Sequence, residues 1–95
     1  MSELDALQIA LRLKALADPV RVRLMSIVLA AGDDGCCTCD LAPAVGVTEA
    51  TVSHHLKRLS EAGLVEGTRH GMNVFYRPLR GNLTALCRTI DPACC

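Results

Sequence analysis

Three cysteines fall within four positions in the run Gly35-Cys36-Cys37-Thr38-Cys39-Asp40-Leu41. Thiolates are soft donors that select soft or borderline centres such as Zn(II), Cu(I) and, by the same logic, Cd(II), Pb(II), As(III) and Sb(III). Trivalent arsenic takes three sulfurs in a pyramid, whereas a structural zinc site wants four ligands, usually Cys and His. Cys36, Cys37 and Cys39 supply three sulfurs with no histidine among them, and that count favours As(III) or Sb(III) over zinc. A second candidate set of thiols, Cys87, Cys94 and Cys95, stands at the far end of the sequence. Two other readings of the 36–39 cluster stay open. Thiols at a helix N-terminus become acidic and redox-reactive, and buried cysteine can serve as a small hydrophobe, although acidic Asp33 and Asp34 beside it are not core composition.

A different group of residues suits nucleic acid. Thr48, Glu49, Thr51, Ser53 and His54 place short polar side chains at the start of a helical segment, where they can meet base edges. Lys57 and Arg58 follow further along, within reach of phosphates. Arg69 and His70 sit near the tip of a hairpin-like segment, where they can meet the neighbouring backbone or minor groove. His54 and His55 are adjacent, so on a helix they point ~100° apart and cannot both face one ion.

These side chains need a scaffold, and the patterning supplies one. Leu4, Leu7, Leu11 and Ala15 recur at helical spacing, which predicts an amphipathic helix over 3–16. Asp18 reads as an N-cap and Pro19 as the first position of a second helix that stops at Gly32. A short third helix is expected from about Thr38 to Ala44, closed by Gly46. Thr48 caps the clearest segment, a recognition helix at about 49–62, in which Val52, Leu56 and Leu59 form the buried stripe. Two β-like runs, roughly 64–69 and 73–78, flank His70-Gly71-Met72 and predict a hairpin, the wing, over about 64–78. Leu83, Leu86 and Ile90 then mark a terminal helix at about 81–90, with Cys87 on the same stripe in a packing role. The fold class is mainly α with a small β-hairpin, in one winged helix-turn-helix domain over 1–95.

Composition sets the bounds. With 95 residues, Phe75 and Tyr76 as its only aromatics and half its residues apolar, the chain must build a modest core from Leu, Val, Ala and Ile. Dimerisation is a natural way for so small a core to bury more surface. Ten basic residues balance ten acidic ones, so the whole is not a strongly basic nucleic-acid domain. From Thr48 to Arg80, five Lys/Arg against three Glu tilt this half slightly positive. No apolar run reaches the ~18 residues a membrane span needs, and Glu3 and Asp5 occupy the place of a signal peptide's basic region. The expected setting is cytoplasmic, where thiols stay reduced. Enzyme chemistry is not indicated: there is no phosphate loop, no acid–base pair and no Gly-rich βαβ unit.

The segments "KALADPVRVRLMSIV", "CTCDLA", "TVSHHLKRLSEAGLV" and "VFYRPL" resemble, in order, the ArsR/SmtB family of metal- and metalloid-responsive repressors. The resemblance implies a homodimer joined through its first and last helices, here Leu4–Leu16 and Leu83–Ile90. It further implies a double-stranded palindromic operator, held by the ligand-free protein and released when inducer binds. Arsenic-responsive members carry a Cys-X-Cys-Asp-Leu motif with a third cysteine three residues after the second. Here that position is Ala42, which leaves Cys36, or the thiols of the tail, to complete Cys37 and Cys39. The inducer the resemblance implies is As(III) or Sb(III), with Cd(II), Pb(II) or Zn(II) as the alternative, or a thiol-redox signal on the same fold. Zinc-sensing ligands on the last helix are missing, since residues 80–95 hold Asp91 but no His. The family often starts its recognition helix with Ser-Gln, where this sequence has Thr48-Glu49; a carboxylate can only accept, for instance from cytosine N4.

Overall fold

The structure is a computed structural model and describes residues 1–93. Five helices and a three-stranded antiparallel sheet follow one another as α1 (Glu3–Leu16), α2 (Pro19–Ala31), β1 (Cys36–Cys37), α3 (Thr38–Val45), α4 (Glu49–Glu61), β2 (Val65–His70), β3 (Asn73–Pro78) and α5 (Arg80–Ile90), with a short 3₁₀ turn at Gly32–Asp34. No described helix is long and apolar enough to cross a membrane.

The helices begin where the sequence offers a cap. Ser2 and Asp5 form a reciprocal capping box on α1, with Asp5 N–H donating to Ser2 Oγ at 3.0 Å and Ser2 N–H to Asp5 Oδ2 at 3.3 Å. Asp18 Oδ1 accepts from the N–H groups of Val20 (2.9 Å) and Arg21 (3.2 Å), with Pro19 at the first helical position. Those bonds, the Arg21 N–H foremost, hold the Asp18 carboxyl below its ordinary range. Thr48 Oγ1 accepts from Thr51 N–H at 3.2 Å and opens α4. Gly46 ends α3 in the left-handed region at φ 74°, which a side chain would disfavour.

Leu24 and Val28 of α2, Leu41 of α3, Val52, Leu56 and Leu59 of α4, and Leu64 and Val65 entering the wing are fully buried in one cluster. The core therefore sits between α2, α3, α4 and the root of the wing. Leu56→Ala should cost about 2–5 kcal/mol, the range for emptying a close-packed leucine site, measurable as a lowered midpoint in urea unfolding. The leucine stripe of α1 does not join this core: Leu4, Leu7 and Leu11 are exposed, and Ile9 is the one residue of α1 that is buried.

The hairpin pairs Val65 with Pro78 through to His70 with Asn73, so its tip is Gly71-Met72 and His70 belongs to the strand. The third strand was not anticipated. β1 pairs antiparallel with β3, Cys36 opposite Tyr76 and Cys37 opposite Phe75. Gly35 permits the approach at φ 82°, since a Cβ there would lie 3.1 Å from the Tyr76 carbonyl oxygen. Its backbone freedom thus seats β1 against the wing.

Candidate functional site

Cys37 is both the last residue of β1 and the N-cap of α3, its Sγ accepting from Asp40 N–H at 3.3 Å. Cys39 lies in the first turn, and its sulfur is joined to that of Cys37 as a disulfide, with the Cα atoms 5.2 Å apart. Cys37 is buried, while Cys39 and Asp40 are exposed, so the pair opens to solvent on one side. The sulfurs of Cys37 and Cys39 and a carboxylate oxygen of Asp40 all lie within 4.8 Å of one another.

Cys36, expected as the third sulfur, does not join that group. Strand pairing explains why: neighbouring residues of a strand point to opposite faces, so seating Cys37 over α3 turns Cys36 the other way. Cys36 packs half-buried against the core, and burial first, then the charge of Asp40, pushes its thiol pKa up. Its thiol thus holds its proton more firmly than a free cysteine. Cys87 is exposed on α5 and does not pack as the stripe predicted, nor does it approach Cys37 and Cys39. Cys94 and Cys95 lie outside the described residues. Asp40, part of the sequence motif but given no role from it, brings a carboxylate oxygen beside the two sulfurs. The signal available was its position three residues after Cys37, which places both on one helix face.

The residues expected to meet DNA all sit on exposed surface: Thr48, Glu49, Thr51, Ser53, His54, Lys57 and Arg58 on α4, and Arg69 and His70 on the wing. The Thr48 hydroxyl is already engaged, accepting from Thr51 N–H and donating to Thr51 Oγ1 at 3.0 Å. His55 faces inward, its Nδ1 3.1 Å from an Arg21 guanidinium nitrogen, while His54 stays outside. Among the described residues the one ion pair joins Arg77 to Glu66 across the wing at 3.5 Å, leaving Lys57, Arg58 and Arg69 without carboxylate partners. A short helix, a turn at Gly46-Val47 and an exposed polar helix followed by a hairpin make the expected winged helix-turn-helix.

Two contacts connect these surfaces. α3 packs directly on α4, so a change at Cys37 or Cys39 is one helix away from the candidate recognition surface. At the other end of α4, Arg12 of α1 donates through Nε to the Ala62 carbonyl (3.1 Å) and through a terminal nitrogen to that of Asn82 (3.4 Å). Asn82 of α5 in turn donates to the Gly63 carbonyl at 2.8 Å. The end of α4 is thereby tied to both α1 and α5.

The sequence profile of the bacterial regulatory proteins of the arsR family matches residues 18–67, from the cap of α2 into the wing. The chain belongs to the ArsR family. It is 42% identical over 90 residues to the transcriptional repressor SmtB homolog of Synechocystis sp. (strain ATCC 27184 / PCC 6803 / Kazusa), covering 95% of this chain and 66% of that protein. It is 38% identical over 79 residues to the putative arsenical resistance operon repressor ArsR2 of Halobacterium salinarum, covering 83% of this chain and 65% of that one. The chain thus spans just under two thirds of the length of these relatives. They are regulators by name, not enzymes. Among solved structures, the homodimeric winged helix-turn-helix DNA-binding domain Mb0332 of Mycobacterium bovis superposes with a TM-score of 0.72 at 30% identity, over 95% of this chain and 86% of that one.

Within the ArsR family match fall Cys37, Cys39, Asp40 and all of α4; α1 and α5 lie outside it. Those two helices carry much of the apolar surface a single chain leaves uncovered, with Val22 of α2 and Met72 at the wing tip exposed elsewhere. Leu4, Leu7 and Leu11 of α1 are 78%, 56% and 64% exposed and Ile90 of α5 is 54% exposed. Four large apolar side chains on two contacting helices form more than the scattered exposure normal for a monomer.

Proposed function

We propose that this chain is a DNA-binding transcriptional repressor of a metal(loid)-resistance operon, released from its operator when a thiophilic inducer binds the thiolates of Cys37 and Cys39. The inducers we place first are As(III) and Sb(III). The observation that carries the reading is the convergence of the two sulfurs at the start of α3, directly against α4. The exposed polar face of α4 and the wing support duplex DNA as the partner. The apolar face of α1 and α5, with the homodimeric Mycobacterium bovis domain of the same fold, supports a homodimer. In a cytoplasmic setting the pair is a dithiol and free to ligate.

Release follows from geometry. Cys37 anchors the N-terminus of α3 through the Asp40 N–H, so engaging its sulfur with an inducer disturbs the cap and shifts α3 against α4. Two recognition helices of a dimer must sit one DNA turn, about 34–36 Å, apart. A preference of ~1–3 kcal/mol for the DNA-incompetent arrangement loosens the complex 5–150-fold. The test is a titration of As(III), Sb(III), Cd(II), Pb(II) and Zn(II) against the reduced protein bound to a duplex selected from random sequence. Arsenite or antimonite should release the duplex at the lowest concentration. Failure of every ion to release it would overturn the reading.

A second reading rests on the disulfide contact itself. A thiol-redox repressor would use the same two cysteines, with peroxide as oxidant and the disulfide as its oxidised form. Release of DNA by peroxide but not by arsenite would favour it.

A further inference from the structure

A cleft of about 380 Å³ opens between the last turns of α1, the first turn of α2 and the last turn of α4. Its charged lining is Lys14, Arg21, Arg58 and Glu61, three cations against one carboxylate. We infer that this cleft is a phosphate clamp, gripping the sugar–phosphate backbone of duplex DNA beside the groove that α4 enters. The inference rests on the reading that the chain binds duplex DNA through α4, and it adds Lys14 and Arg21 to that surface.

Arg21 is the fixed point of the cleft. Its Nε donates to the Ala15 carbonyl, and a terminal nitrogen lies 3.1 Å from His55 Nδ1, which holds the half-buried guanidinium between α1 and α4. A guanidinium carries its N–H donors in a rigid planar fork, and those left over can take phosphate oxygens. Lys14 and Arg58 are exposed, and among the described residues neither is ion-paired to Glu61 or to any other carboxylate. Asp18, whose carboxyl feels the Arg21 charge, is committed through Oδ1 to the backbone of α2. The cleft therefore holds positive charge that the protein does not offset. Its place suits the DNA backbone. Thr51, His55, Arg58 and Ala62 follow one another at helical spacing on one flank of α4, so the cleft continues the surface that begins at Thr51. A helix with its side chains is about 10–12 Å across, and the major groove is about 12 Å wide. What packs on the flank of a helix in that groove meets the phosphates of its wall.

The test is the salt dependence of binding to a duplex selected from random sequence and to an unrelated duplex, read by fluorescence anisotropy from about 50 to about 200 mM salt. Lys14→Gln is the main variant, because that side chain is exposed and its loss leaves the core alone. It should lower the slope of log affinity against log salt by ~0.9 for each protomer bound, so affinity falls roughly 3–4-fold less per protomer over that range than in wild type. The loss at low salt should be the same factor on both duplexes, since a phosphate contact carries no sequence information. Glu61→Gln, which removes the acid of the cleft, should tighten binding to both. Arg88→Gln, on α5 and outside the cleft, should keep the wild-type slope. An unchanged slope in Lys14→Gln overturns the inference, as does a loss confined to the selected duplex. An equal fall in Arg88→Gln overturns it too, being the signature of net charge alone. Calorimetry of the free protein with inorganic phosphate tests the other source of the same chemistry. Phosphate binding that Lys14→Gln abolishes, with duplex slopes unchanged, would give the cleft to a free phosphate and overturn the clamp on DNA. If wild type binds neither duplex, the DNA-binding reading falls and the clamp with it.

Discussion

Replacing both Cys37 and Cys39 with serine is expected to leave a protein that binds its duplex normally and no longer releases it when thiophilic ions are added. The whole 5–150-fold loosening expected of the wild type should vanish, read as a flat fluorescence-anisotropy trace where wild type falls. The substitution is gentle on the fold for a specific reason. Cys37 caps α3 by accepting from Asp40 N–H, and serine is among the preferred N-caps. Its hydroxyl takes over that bond, so the buried oxygen is not left unsatisfied. Cys39 is exposed and has no packing role to lose. Cys36→Ser serves as the contrast: with its thiol packed away from the pair, it should leave the response to inducer intact. A double variant that still released DNA with arsenite would remove the α3 site from the mechanism.

That contrast marks where the sequence was readable and where it was not. The caps at Asp18 and Thr48 and the stop at Gly46 are local signals, decided by side chains within three residues of the helix end, and each stands where its residue type required. The buried stripe of Val52, Leu56 and Leu59 follows from period alone. The partner of Cys36 does not. β1 is two residues long and exists because Phe75 and Tyr76, far along the chain, present an open strand edge to it. No periodicity over two residues announces such a strand, and its pleat decides which cysteine faces α3. Asp40 stood in the motif from the start, but its closeness to both sulfurs depends on the Cys37 side chain capping α3 by accepting from Asp40 N–H, which the spacing alone does not show. Cys87 shared the i, i+3, i+4 pattern with Leu83 and Leu86, but a single chain covers Leu86 and leaves Cys87 and Ile90 outside. Period locates a face; what covers it is a tertiary matter.

Acidic residues on the outer face of α1 are expected to have the second large effect, this time on DNA affinity and not on release. In Leu7→Glu/Leu11→Glu, two exposed leucines become charged without touching the core that Leu24, Leu56 and Leu59 form. The domain should keep its helical content. If α1 and α5 join two copies, burying two like-charged carboxylates across that seam opposes assembly, and sedimentation should show a monomer. The loss of a second recognition helix then removes the avidity of two half-sites, roughly 10²–10⁴-fold in operator affinity. A further loss is specific to this fold: Arg12 of α1 and Asn82 of α5 hold the carbonyls at the end of α4, so the helices of the seam also orient the reading helix. Arg12→Ala in an intact dimer isolates that contribution, weakening operator binding while sedimentation stays that of the dimer. A doubly charged α1 that remained dimeric and bound DNA normally would place the seam elsewhere, and the exposed leucines would need another partner.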